Sequence, residues 1–232
     1  MHLTLLDYSL WFGDFLVVLA LMVTMRKRRL QRAYPYFFLY ILLQVAANPL
    51  LILLSASSYT AYYYTYYATL IFSALASLAV FWDILRSAFA PFQRFRELTV
   101  LMFSSSVALI LAAMILINFG RGHSDTFLLD WTLSAVSATR VAQCAMILLL
   151  LCFRKHLGVS LGSIDFGIAL GFGLFAATNM LIMGIARVAG QYHTALSQIN
   201  VFAYLAASLI WLAYARRGCT QLRAPDRADA FA

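Results

Sequence analysis

Seven apolar runs divide the chain, near residues 6–25, 36–55, 63–85, 98–118, 128–153, 164–186 and 196–214. Each is close to the roughly 20 residues that a helix needs to cross about 30 Å of hydrocarbon. Backbone in lipid has no water to satisfy its N–H and C=O groups, so continuous runs of this length are helical. The spacing predicts an all-α polytopic membrane protein: a seven-helix transmembrane bundle over 1–214 and a short basic tail over 215–232. Only the run at 98–118 is nearly uniform; the others carry scattered polar residues, as helices packed on one another do. With 63% apolar and 11% charged residues, no room is left for a large soluble domain. The opening MHLTLLD lacks the basic segment of a signal peptide, and the run after it is too long for a signal core. It reads as a retained first helix.

Charge sets the orientation. The basic residues fall on alternate loops: Arg26, Lys27, Arg28, Arg29 and Arg32; then Arg86, Arg94 and Arg96; then Arg154 and Lys155; then Arg216, Arg217, Arg223 and Arg227 in the tail. Of the 17 basic residues, only Arg121, Arg140 and Arg187 lie elsewhere. Loops rich in Lys and Arg stay cytoplasmic, which predicts an outer N-terminus and an inner C-terminus. The net charge of +8 is then explained by topology and by anionic lipid headgroups at the basic face, with no nucleic-acid partner. Trp11 and Trp131 are expected at the outer interface, Trp82 and Trp211 at the inner one. YTAYYYTYY, residues 59–67, places six tyrosines at the outer start of the third run. An interfacial belt is the first reading, and a ligand-stacking surface the second.

Arg140 stands out because it sits within an apolar run. At 1.5 Å per residue it lies roughly 21 Å from the basic border marked by Arg154, and Asp14 lies roughly 18 Å from Arg26. Asn48, Asn179 and Asn200 fall at roughly 21–24 Å by the same count, with Gln44 one turn below Asn48. A charge at such depth costs at least about 2.5–3.5 kcal/mol and is a functional-site hypothesis by default. Asp14 is the one acid at the same level, so an Asp14–Arg140 ion pair inside the bundle is expected. The asparagines taken singly read as interhelical glue. Asp83, three residues before Arg86, reads as a local helix pair. Pro49 frees the carbonyl of Val45 and predicts a kink at the level of the charges. In the sixth run Gly167 and Gly171, four apart, predict close helix packing.

Several classes are excluded. The only lysines, Lys27 and Lys155, sit in loops, so no retinal Schiff base can form within the bundle. His2, His123, His156 and His193 lie in loops or at the terminus, so no haem or metal site can be built within the membrane. His123, Asp125 and His193 offer a weak outer metal site. Cys144, Cys152 and Cys219 show no metal-binding spacing and no outward-facing pair. No catalytic constellation is visible, and no cofactor is expected.

VAANPLLIL at 45–53 and FAATNMLIM at 175–183 each follow a basic loop, which hints at a 3+1+3 duplication of the kind some transporters carry. RRLQRAYPYFFLY, FRKHLG with FGIALGFG, and AYLAASLIWLAY resemble an uncharacterised family of seven-helix bacterial integral membrane proteins. The resemblance implies the fold and a bacterial plasma-membrane location, and no activity. Seven-helix sensory modules joined to kinase domains share the outline, but only 215–232 follow the last run here, so no output domain is expected. The leading expectation is a non-enzymatic membrane protein. A polar pocket in its outer half would sense a small ligand or bind a membrane partner. A small-solute transporter and a structural subunit of a membrane complex are the alternatives.

Overall fold

The computed structural model describes residues 5–88, 104, 108, 127–157, 162–189 and 194–217, and they are all-helical. Six long helices are present: α1 (Leu5–Lys27), α2 (Pro35–Ser57), α3 (Tyr59–Ala88), α4 (Phe127–Leu157), α5 (Ile164–Ala189) and α6 (Thr194–Arg217). The fourth apolar run, 98–118, lies outside the described residues apart from Ser104 and Ala108. Five of the six helices are long and apolar enough to cross a membrane, over Ser9–Lys27, Pro35–Ser55, Thr60–Ser87, Ile164–Ile185 and Gln198–Arg217.

Each helix packs against the next in chain order, and α6 returns to α1, so the six close a ring. The ring is apolar outside, and its interior combines an apolar core with buried polar side chains. Leu53 and Leu181 are each 68% exposed, while Asp14, Asp83, Thr139, Gln143 and Ser208 are buried. Lipid is as apolar as leucine, so an exposed leucine costs nothing there, and every polar side chain gains by turning inward.

The helix ends on the basic side are held by specific polar contacts. Arg29 adopts the left-handed conformation (φ 55°), turning the chain after α1 into a short 3-10 turn at Leu30–Arg32. Arg28 Nη1 donates to the Ala215 carbonyl at 3.3 Å and to that of Arg216. A guanidinium thereby covers free carbonyls at the C-terminus of α6, where the helix dipole favours a cation. At the start of α2 no side chain of its own caps the free N–H groups. Asp83 of α3 does so instead, accepting from Tyr36 N at 2.8 Å and Phe37 N at 3.1 Å. Asp83 is thus an interhelical cap as well as a charge neighbour of Arg86 on its own helix. Tyr34 donates to Asp165 Oδ1 at 2.9 Å, tying the α1–α2 connection to α5. Burial first, then the neighbouring Asp165 charge, raises the Tyr34 phenol above its ordinary value, so it remains a donor. Ser163 Oγ accepts from Phe166 N and caps α5, and Ser58 Oγ accepts from Ala61 N and caps α3.

Trp211 does not sit at an interface. It is 1% exposed, and its indole N–H donates to the Ile168 carbonyl at 3.1 Å. The glycines explain this. A Cβ on Gly171 would overlap the Trp211 ring, and one on Gly167 would overlap Tyr214. Gly173 has the same relation to Ile147 of α4. The small-residue spacing therefore opens seats for α6 aromatics, and the indole N–H is satisfied inside the bundle.

Gly171→Ala gains up to about 1 kcal/mol of helix propensity but meets an overpacking cost of about 1–3 kcal/mol. We expect it to lower the thermal midpoint in detergent by a few degrees. Gly184→Ala, with nothing within 4 Å of the new methyl, should leave the midpoint unchanged or raise it. A midpoint for Gly171→Ala as high as that for Gly184→Ala would show that the indole has room to move.

Candidate functional site

A cavity of about 270 Å³ lies inside the ring, on the side away from the basic loops. All six described helices contribute to its wall. α1 supplies Trp11 and Asp14, three residues apart on one face. α2 supplies Tyr40, Gln44 and Asn48, then Leu51 and Ile52; α3 supplies Tyr62, Tyr66, Thr69 and Ser73. These are helical stripes of period 3.6. Thr139 and Arg140 come from α4, Phe175 from α5, and Asn200 and Tyr204 from α6.

The structure therefore brings Asp14, Gln44, Asn48, Arg140 and Asn200 to one cavity. Asn179 is set behind the wall, donating to Asn200 Oδ1 at 3.0 Å. Gln44 donates to Ser73 Oγ at 2.9 Å and links α2 to α3. α2 continues as one helix through Pro49, and the residues on either side of it line the cavity. Gly167 and Gly171 stay with the α5–α6 contact below. His123, Asp125 and His193 lie outside the described residues. Among the described residues no group of acids, cysteines and histidines could hold a metal ion.

Asp14 and Arg140 do not form the expected ion pair. Arg140 Nη1 donates to Gln143 Oε1 at 3.0 Å, one turn along its own helix. Its guanidinium carbon lies 4.3 Å from the centroid of the Phe175 ring. Asp14 Oδ1 accepts from Ser208 Oγ of α6 at 3.4 Å, and the Asn48 amide is its other polar neighbour. Each charge is thus held on its own wall of the cavity. Arg140 Nε is buried and has no hydrogen-bond partner among the described residues.

Toward the basic end the cavity is closed by packed rings. Trp211 meets Phe37 at 5.5 Å and Phe172 at 4.8 Å between centroids, and Tyr40 meets Phe172 at 5.1 Å. Phe175 and Tyr204 lie 5.1 Å apart on the cavity side of this layer. At the other end the tyrosine run divides. Tyr62 and Tyr66 stack at 6.1 Å on the cavity wall, while Tyr63 packs on Tyr67 at 4.7 Å.

Sequence reasoning missed Tyr40, Thr69, Ser73, Thr139, Gln143, Tyr204 and Ser208. The signal was present. Tyr40–Gln44–Asn48 and Asn200–Tyr204–Ser208 are polar at steps of four, and Thr132, Thr139, Arg140 and Gln143 share a face of α4. One turn to either side of Arg140, Ser137 donates to Met183 Sδ at 3.8 Å and Cys144 lies near the guanidinium, both outside the cavity wall.

No family model, curated protein or solved structure matches the chain.

In double-mutant cycles with Arg140→Met, we expect Gln143→Met to couple by about 1.5–3 kcal/mol, the range for a hydrogen bond to a charge. Asp14→Asn should couple more weakly in the same unfolding measurements. The opposite order would show that Arg140 turns toward Asp14.

Proposed function

We propose that this chain is a non-enzymatic, seven-helix protein of the bacterial plasma membrane that binds a small polar solute in the outer half of its bundle. The observation that carries the binding reading is Arg140. Arg140 lines a polar cavity, and its buried Nε has no hydrogen-bond partner among the described residues. A buried, incompletely satisfied charge is costly in a membrane protein, and a ligand that completes it offsets that cost.

Seven crossings are supported by geometry. α3 ends beside the start of α2, where Asp83 caps it, whereas α4 leads down to α5, whose Asp165 meets Tyr34 at the same basic end. Ala88 and Phe127 therefore lie at opposite ends of the bundle, and the apolar run 98–118 lies between them in sequence. The basic end is cytoplasmic on the distribution of Arg and Lys, and it meets anionic headgroups there. A green fluorescent protein fused to the C-terminus should then fluoresce, and an alkaline phosphatase fused there should be inactive.

A solute transporter is the second reading, and the ring order favours it. α1–α3 and α4–α6 follow one another around the ring in the same directions. A 3+1+3 duplication about an axis along the membrane normal would have this form. The aromatic layer would then be the closed gate of an outward-facing state.

Native mass spectrometry of the gently solubilised protein should show a bound small molecule on wild type and none on still-folded Arg140→Met. Loss of a co-purifying protein instead would make Arg140 an assembly contact. A folded protein with an empty cavity in both forms would sink the binding reading.

A further inference from the structure

We infer that the occupant of the cavity is a small zwitterion, its acid group on Arg140 and its ammonium group on Asp14. This deepens the reading of the cavity as a solute site and rests on it. Asp14 and Arg140 line the same space, and neither pairs with the other. Each is held by its own neighbours: Asp14 by Ser208 and Asn48, Arg140 by Gln143 and Phe175. Two opposite charges held apart across a cavity leave a definite demand on what enters.

A simple anion satisfies Arg140 and sets a like charge near Asp14. A simple cation does the reverse. An uncharged solute leaves both charges desolvated and unpaired, the costliest arrangement for buried ions. One molecule carrying both groups answers both. The unshared guanidinium N–H groups suit a carboxylate or phosphate, which takes two parallel hydrogen bonds from such a fork. The Asp14 side suits an ammonium. Trp11 lies one helical turn away on the same wall, and an indole face is the best aromatic partner for a cation.

Size narrows the class. A cavity of about 270 Å³ is many times the space that one water needs. That space takes a molecule of amino-acid size. The same chemistry occurs in a free amino acid or betaine and in the headgroup of a zwitterionic phospholipid.

The test is thermal unfolding of the full chain in detergent, read against native mass spectrometry. Three probes are added at millimolar concentration: an equimolar mixture of the protein amino acids with glycine betaine, the matching carboxylic acids without the amine, and the matching amines without the acid. Phosphatidylethanolamine is added separately to delipidated protein. We expect the zwitterion mixture, or phosphatidylethanolamine alone if the source is a lipid, to raise the midpoint by several degrees. The single-charge sets should not. Asp14→Asn should lose the shift while eluting as a folded, monodisperse species, and Arg140→Lys, which keeps the charge but not the fork, should retain a smaller one.

If the acids alone stabilise as well as the zwitterions and Asp14→Asn keeps the effect, the ligand is an anion. The zwitterion inference then falls while the cavity stands as a binding site. A co-purified molecule with only one of the two groups has the same meaning. If no probe shifts the midpoint and wild type carries no small molecule, both readings fall together.

Discussion

Hydrocarbon cannot hydrogen-bond, and that constraint organises this bundle. It forces every backbone group into a helix and turns Asp14, Gln44, Asn48, Arg140, Gln143 and Ser208 away from lipid. Leucines and phenylalanines are free to face outward because they lose nothing by doing so. A soluble helical protein of the same sequence would expose its polar stripes and bury its leucines. Here the polar side chains of α1, α2, α3, α4 and α6 converge, and a water-sized or larger space between them is the natural result. The cavity is what remains when polar side chains that cannot face lipid do not all find one another.

Below the cavity the logic reverses. Glycines on α5 make room for aromatic rings from α6, and the rings fill the centre of the bundle without a polar stripe. Trp211 is the joint between the two regions. Its ring meets Phe37 and Phe172, its N–H is satisfied by the Ile168 carbonyl, and Tyr204 one side of it reaches the cavity wall. Close packing on one side and open polar space on the other set a firm base beneath the cavity. The basic end is locked further by the Asp83 cap on α2 and by Arg28 on the end of α6. Those contacts join elements far apart in sequence, which is why a loop arginine and a mid-chain aspartate matter to the same layer.

The membrane character and the ranges of the described helices were legible in the sequence, because crossing hydrocarbon leaves a long, uninterrupted apolar signal. Helix boundaries differ from the apolar runs mainly at α3. There the tyrosines extend the helix back to Tyr59, since aromatic residues hold an interfacial turn as well as an apolar one. The level of the polar residues was also legible, because depth follows from residue count. Partner choice was not. Arg140 and Asp14 share a depth, but depth does not fix azimuth, and the guanidinium found Gln143 and Phe175 closer to hand. Trp211 was misplaced for a related reason: an indole near a basic border reads as an interface anchor until the glycines facing it are recognised as its seat. Counting polar residues at helical steps of three and four, rather than singly, would have recovered Tyr40, Tyr204 and Ser73.

The absence of a direct Asp14–Arg140 contact has a physical consequence. Two buried opposite charges that meet cancel each other, and such a pair stabilises a fold by little or nothing net. Held apart by their own anchors, they instead keep two unmet electrostatic demands inside one cavity. The Ser208 and Asn48 groups beside Asp14, and Gln143 beside Arg140, reduce the cost of each charge without discharging it. On the proposed binding reading, stability is given up at this point for a preorganised site, with the donors and the acceptor fixed before a ligand arrives. A purely structural bundle would gain by letting the two side chains meet or by replacing both with leucine. That neither has happened is the strongest physical argument that the space between Asp14 and Arg140 is there to be filled.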